Sequence, residues 1–168
     1  MIKLIGDNDV FEVIKLMNKS TAENDYGGYE RNEAMWISFL MHIIAEQRKG
    51  DPHNLAIGEY DENNRLKGFL LASTFQSYYN GVYIMDIKDC IVDKDNSNSF
   101  TVIKLFNAML THIKNNGGNR WRADSIRVGH HSRNYVKLLE LKYGAEVYYS
   151  AHGRINQEID MKKENTNE

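Results

Sequence analysis

Two carboxylates, Asp86 and Asp89, interrupt the largely apolar run of residues 82–92. A carboxylate on an apolar strand is a candidate general base, able to take a proton from an amine directly or through water. Strand alternation predicts that the two point to opposite faces. The plainer reading of Asp86 is a structural ion pair with Lys88 or with an arginine. The polar loop Asp95-Asn96-Ser97-Asn98-Ser99 follows, with several residues that cap helices. It opens the cleanest amphipathic segment of the chain, with Val102, Ile103, Leu105, Phe106, Met109, Leu110 and Ile113 at helical spacing. A helix start presents unpaired N–H groups and the positive end of a dipole, which is chemistry for holding phosphate. Hydroxyls of Ser97, Ser99 and Thr101 would add donors. The same stretch reads equally as a capped helix start with no ligand.

Other reactive side chains form no recognisable constellation. His112, His130, His131 and His152 match no zinc spacing, and the one cysteine, Cys90, offers no thiolate cluster. No metal is expected, and Cys90 reads as a packed small hydrophobe. Gly27-Gly28 is followed by no Lys-Ser/Thr pair and is not a phosphate loop. Arg120, Arg122, Arg127, Arg133 and Arg154 gather around Trp121. They could meet phosphates of a cofactor or a nucleic-acid backbone, or simply be solvated, and a nucleic-acid partner is not the expectation drawn from them.

The elements that would position these residues follow from periodicity. Residues 2–5 read as a strand ended by Gly6, with Asp9 and Glu12 as a capping box for a first helix. Residues 24–29 read as a loop, and Met35, Trp36, Phe39, Leu40, Ile43 and Ile44 as the stripe of a second helix that stops at residues 49–52. Residues 55–60 and 65–75 form a predicted hairpin around the turn 61–64, and residues 82–92 a third strand. The amphipathic helix ends at residues 115–118, residues 121–128 read as a strand, and a helix carrying Tyr135, Leu138, Leu139 and Tyr143 ends on Gly144. Residues 146–155 are a final predicted strand and residues 158–168 a polar tail.

The order β-α-α-β-β-β-α-β-α-β over residues 1 to about 155 resembles the GCN5-related N-acetyltransferase (GNAT) superfamily. The stretch from Val92 to Gly117 has the length and apolar spacing of the family's fourth strand, loop and long helix. Leu139-Glu140-Leu141-Lys142-Tyr143-Gly144-Ala145 looks like its closing helix. The resemblance implies an α/β (α+β) fold with a mixed central sheet and about four helices. It implies acetyl-CoA as cofactor, with its pantetheine arm along Ile91 and Val92 and its pyrophosphate at Ser97, Asn98, Ser99, Phe100 and Thr101. Asn134 would be the counterpart of the family's asparagine near the last helix start. The family's basic residue falls at Ser97, and its glycine or alanine positions at Asn98, Phe100 and Val102, so the loop keeps its length without its glycines. Phe100 is the severest departure. Asp86 lies nearer the family's base position than Asp89, and backbone donors near Val92 would polarise the thioester. The family's usual tyrosine acid aligns with Glu140, leaving Tyr135, Tyr143, Tyr148 and Tyr149 as stand-ins, of which Tyr149 is taken. Tyr26 and Tyr29 would wall the acceptor pocket.

Composition bounds these readings. The 168 residues, 42% hydrophobic and 26% charged, suit one domain, here 1–157. No apolar run is long enough to cross a bilayer, acidic residues come too early for a signal peptide, and a reducing cytoplasm is expected. Residues 1–100 hold 16 acids and 10 bases, whereas residues 101–155 hold 3 acids and 9 bases, so the second stretch could attract an anion. The expected activity is acetyl transfer to the amine of a small molecule or a protein, from a cytoplasmic monomer or homodimer. The alternative is a non-catalytic GNAT-like protein with a virion partner, because residues 121–155 are similar to small internal virion proteins of short-tailed phages.

Overall fold

The computed structural model describes residues 1–23, 32–77, 80–96, 99–123 and 130–145. They fall into two compact units, Met1–Gly129 and His130–Glu168. In the first unit, strand β1 (Ile2–Leu4) leads through a 3-10 turn (Asp7–Asp9) into helix α1 (Val10–Glu23), and helix α2 (Glu33–Arg48) follows. Strands β2 (Asn54–Tyr60), β3 (Leu66–Gln76) and β4 (Tyr83–Val92) then precede helix α3 (Ser99–Asn115) and strand β5 (Trp121–Ala123). The second unit contributes helix α4 (His130–Tyr143). The sheet runs β1-β2-β3-β4-β5, antiparallel except for the parallel pair β4 and β5.

Local chemistry explains the boundaries. Asp9 does not cap α1 with Glu12 as predicted; it lies in the 3-10 turn, and its carboxylate accepts from Gly6 N–H at 2.9 Å. Asn32 caps α2 by accepting from Met35 N–H at 3.0 Å. The β2–β3 turn is held by Asp61, whose Oδ1 accepts from the amides of Asn63 and Arg65, while Asn64 takes φ 60°. Helix α4 ends as predicted: Gly144 has φ 62°, and the amides of Gly144 and Ala145 donate to Glu140 and Leu139. The predicted strand 121–128 is seen over Trp121–Ala123, while residues 124–129, the last strand 146–155 and the tail lie outside the described residues.

Alternation gives the sheet two buried faces. Ala56, Phe69, Leu71 and Ile91 pack with Val13, Met17, Leu40 and Ile43 of α1 and α2 on the first face. Helix α3 covers the second across β2, β3 and β4, with Phe106 edge-on to Trp121 at 5.7 Å. Both faces therefore bury apolar side chains, which accounts for the nearly continuous hydrophobic runs in β2 and β3.

Candidate functional site

Strand β4 does not pair evenly with β3. Leu71 opposes Asp89 and the next residue, Ala72, opposes Ile87, so Lys88 is an extra residue at a β-bulge. The bulge overturns the expectation that Asp86 and Asp89 face opposite ways. Asp89 lies across from Leu71 and Asp86 across from Ser73, and Leu71 and Ser73 share the α1/α2 face of β3. Both carboxylates therefore stand on that face. Simple alternation fails here because the bulge adds one residue to β4 alone.

The two acids have different surroundings. Asp86 is 3% exposed, and Arg122 grips it with two hydrogen bonds of 3.1 Å, Nε to Oδ1 and the guanidinium NH2 to Oδ2. Lys88 Nζ also donates to Oδ2. Parallel pairing puts Arg122 beside Asp86, and the guanidinium lies 4.7 Å from the Phe75 ring centre. The structural ion pair weighed from the sequence is thus present twice over, and Arg122, though exposed, is bound to the buried Asp86. Asp89 is half-buried, and its Oδ2 accepts from Trp36 Nε1 at 2.6 Å. Trp36 is held edge-on against Phe69 at 6.2 Å. The sequence shows Trp36 as one residue of the apolar stripe of α2. The missed signal is its indole N–H, which needs an acceptor when buried.

The cofactor positions gather at the other end of β4. Ile91 is buried and Val92 half-buried, and Val92 pairs with Gly68 of β3. A Cβ on Gly68 would stand 2.9 Å from Ile91 O and Val92 Cγ1 and 3.0 Å from Thr101 Cγ2. The missing side chain therefore lets the first turn of α3 lie directly on the end of β4. Thr101 is fully buried, whereas Phe100 is 62% exposed and turned outward. Thr101 adjoins the Glu59–Lys104 pair. Burial disfavours the charged form of Glu59, yet Lys104, Thr101 and Lys67 outweigh it and hold the carboxyl below its ordinary range. Ser99 opens α3. Ser97, Asn98, Tyr26, Tyr29 and Tyr149 lie outside the described residues, and Asn134 is placed only as part of α4.

A separate cleft of about 180 Å³ opens near the start of β4 and the end of α3, lined by His53, Thr74, Tyr83, His112, Asn116 and Arg120 among others. It holds neither carboxylate and is not the site described above. Among the described residues no group of three or more His, Cys, Asp or Glu could hold a metal ion, and no helix is long and apolar enough to cross a membrane.

No protein-family model and no curated protein matches the chain. Solved structures do. A ribosomal-protein-alanine N-acetyltransferase from Brucella melitensis biovar Abortus is similar at 14% identity and TM-score 0.62, covering 92% of this chain and 98% of its own. An aminoglycoside 6′-N-acetyltransferase from Acinetobacter haemolyticus is similar at 16% identity and TM-score 0.63, covering 92% and 99%. Glucosamine-6-phosphate N-acetyltransferase from Arabidopsis thaliana is similar at 10% identity and TM-score 0.65, covering 93% and 98%. The chain has the GNAT fold, and its described residues form a mixed five-stranded sheet and four helices. These three proteins carry no suggestion of a virion origin.

Proposed function

We propose that this chain is an acyl-CoA-dependent N-acyltransferase that moves an acetyl group to an amine of a small molecule or a protein. The observation that carries the reading is the bulge at Lys88. It places two carboxylates on one face of the strand whose far end meets the start of α3. Fold likeness alone would not be enough, since folds host unrelated functions.

The residues present fit acetyl-CoA. Gly68 brings the first turn of α3 onto the end of β4, and Phe100 in that turn is 62% exposed instead of packed into the core. Backbone groups of Ile91 and Val92 would hold the pantetheine arm, and the first amides of α3, from Ser99 to Thr101, the diphosphate. When bound, the cofactor supplies an acyl group activated as a thioester.

Asp89 takes the proton from the acceptor amine, and the indole of Trp36 fixes the carboxylate orientation for that task. Asp86 is committed to Arg122 and Lys88 and fixes the bulge rather than moving a proton. Tyr149 is the proposed proton donor to the departing sulfur. Asn134 is proposed to contact the cofactor, and Tyr26 and Tyr29 the acceptor. Holding both substrates side by side accounts for much of the rate.

The test is release of free thiol from acetyl-CoA across a panel of amines. Asp89→Asn is expected to lower kcat about 100-fold or more, the usual worth of a general base, with KM for acetyl-CoA within about twofold of wild type. An Asp89→Asn enzyme of undiminished kcat would move the base elsewhere. Failure to release thiol with every amine in the panel would favour the non-catalytic binding protein, for which the double ion pairing of Asp86 is the supporting observation.

A further inference from the structure

The segment between β4 and α3 has none of the glycines that the resemblance implies there, yet its first residues are tied down by side chains. Asp93 is 9% exposed, and its amide continues the strand by donating to Lys67 O at 2.8 Å. Its carboxylate then turns back on the chain. Oδ1 accepts from the Asp95 amide at 3.2 Å and Oδ2 from Asn96 Nδ2 at 2.6 Å. Oδ1 also accepts from Lys19 Nζ of α1 at 2.7 Å, and the same ammonium reaches Asp95 Oδ2. A short carboxylate that accepts from the amide two residues on is a known way to fix a turn without glycine.

The carboxylate brings a difficulty that Lys19 resolves. A poorly solvated negative charge just before a diphosphate-binding helix start would repel the ligand that start is meant to hold. Lys19 comes from a helix remote in sequence and meets that charge directly. Its partners are unequal: the Asp93 side chain is 12% exposed and that of Asp95 74%. The contact with Asp95 is therefore open to exchange with water or an anion, and the contact with Asp93 is the anchored one. Burial disfavours the Asp93 carboxylate, but Lys19, Asn96 and the Asp95 amide outweigh it and hold the group below the ordinary carboxylate range.

We infer that Asp93 and Lys19 form a positioning pair for cofactor binding, in which Asp93 shapes the turn before α3 and Lys19 cancels the charge that this shaping requires. The inference rests on the proposed function for its ligand, but the shaping half stands on the free protein. Neither residue touches the reacting atoms.

The experiment has two arms. In the free protein, hydrogen exchange at the Asp95 amide is compared between wild type and Asp93→Ala, with Asp93→Asn as the second variant should alanine prevent folding. Exchange about tenfold faster in the alanine variant is expected, and about threefold faster in the asparagine variant, whose neutral oxygen is the weaker acceptor. Unchanged exchange in the variant that folds would overturn the shaping role. In the second arm, coenzyme A is titrated into wild type, Lys19→Met and the double variant Lys19→Met/Asp93→Asn at two salt concentrations. Lys19→Met is expected to bind about tenfold more weakly, more so at low salt, where an uncancelled charge is less screened. The double variant is expected to recover most of that loss. Recovery by removing a second residue is not the behaviour of a merely structural contact. Equal affinity in wild type and Lys19→Met, or no recovery in the double variant, would overturn the charge-cancelling role. Should wild type bind no coenzyme A while the Asp95 amide still responds to Asp93→Ala, the acyltransferase reading falls and the shaping of the turn stands.

Discussion

At the scale of single residues, the decisive contrast lies between Asp86 and Asp89. They share a strand and a face, but one is gripped by Arg122 and Lys88 and the other accepts from an indole. Two cationic partners set Asp86 up to hold position, while the Trp36 indole orients Asp89. Replacing Asp86 by alanine would leave Arg122 facing a buried vacancy. Because the Arg122 side chain is 50% exposed, the loss is expected to be about 2 kcal/mol, below that of a fully buried pair, read from urea unfolding. Trp36→Phe keeps the packing on Phe69 and removes the N–H. It is expected to lower kcat several-fold while shifting the melting temperature little, and a fall in KM alone would contradict the orienting role. Both acids were legible in the sequence but their common face was not, because the bulge that turns them to it has no signature in side-chain type. Arg122 was legible as one of a group of arginines and Trp36 as part of an apolar helix stripe, but not as partners of these acids. Their partners come from strands and helices distant in sequence.

At the scale of elements, the junction of β4 with α3 carries the account. Gly68 is an interior strand glycine, which often marks close approach of another backbone. Here the approaching atoms are Ile91 O, Val92 and Thr101. Gly68→Ala is expected to cost roughly 1–3 kcal/mol, as overpacking does, and to weaken coenzyme A binding by prising α3 from β4. Thermal unfolding and titration read the two effects separately. The same helix is tied to β2 through Lys104 and Glu59. The folded carboxyl of Glu59 titrates below its ordinary range, so the unfolded chain binds its proton first as pH falls. Its stabilisation is therefore present above about pH 4.5 and is lost as pH drops through the lower folded value. Lys104→Met should flatten the acid side of the stability profile, and an unchanged profile would show that the pair contributes nothing. Helix periodicity in Val102, Phe106, Met109 and Ile113 made α3 readable from the sequence, as did the turn at Asp61 and the glycine cap at Gly144. Helix α1 starts right after Asp9, but without the expected cap, because Asp9 reaches back to Gly6 in the turn before it.

At the scale of the whole molecule, the order of elements was readable because each apolar run has one clear period and its breaks fall at Gly, Asn or Asp. That order is what similar N-acetyltransferase structures share across more than nine-tenths of the chain at 10–16% identity. The acceptor is not written in the same way, since recognition rests on loops and side-chain contacts that vary while the scaffold persists. The central claim is that the start of α3 holds acetyl-CoA although Ser97, Asn98, Phe100 and Val102 stand where the resemblance implies a basic residue and small ones. Calorimetric titration of acetyl-CoA into the purified protein at moderate salt tests it most directly. The account predicts saturable binding in the micromolar range, weakened when Gly68 is replaced by alanine. Absence of heat at any reachable concentration, from protein shown to be folded, would contradict it.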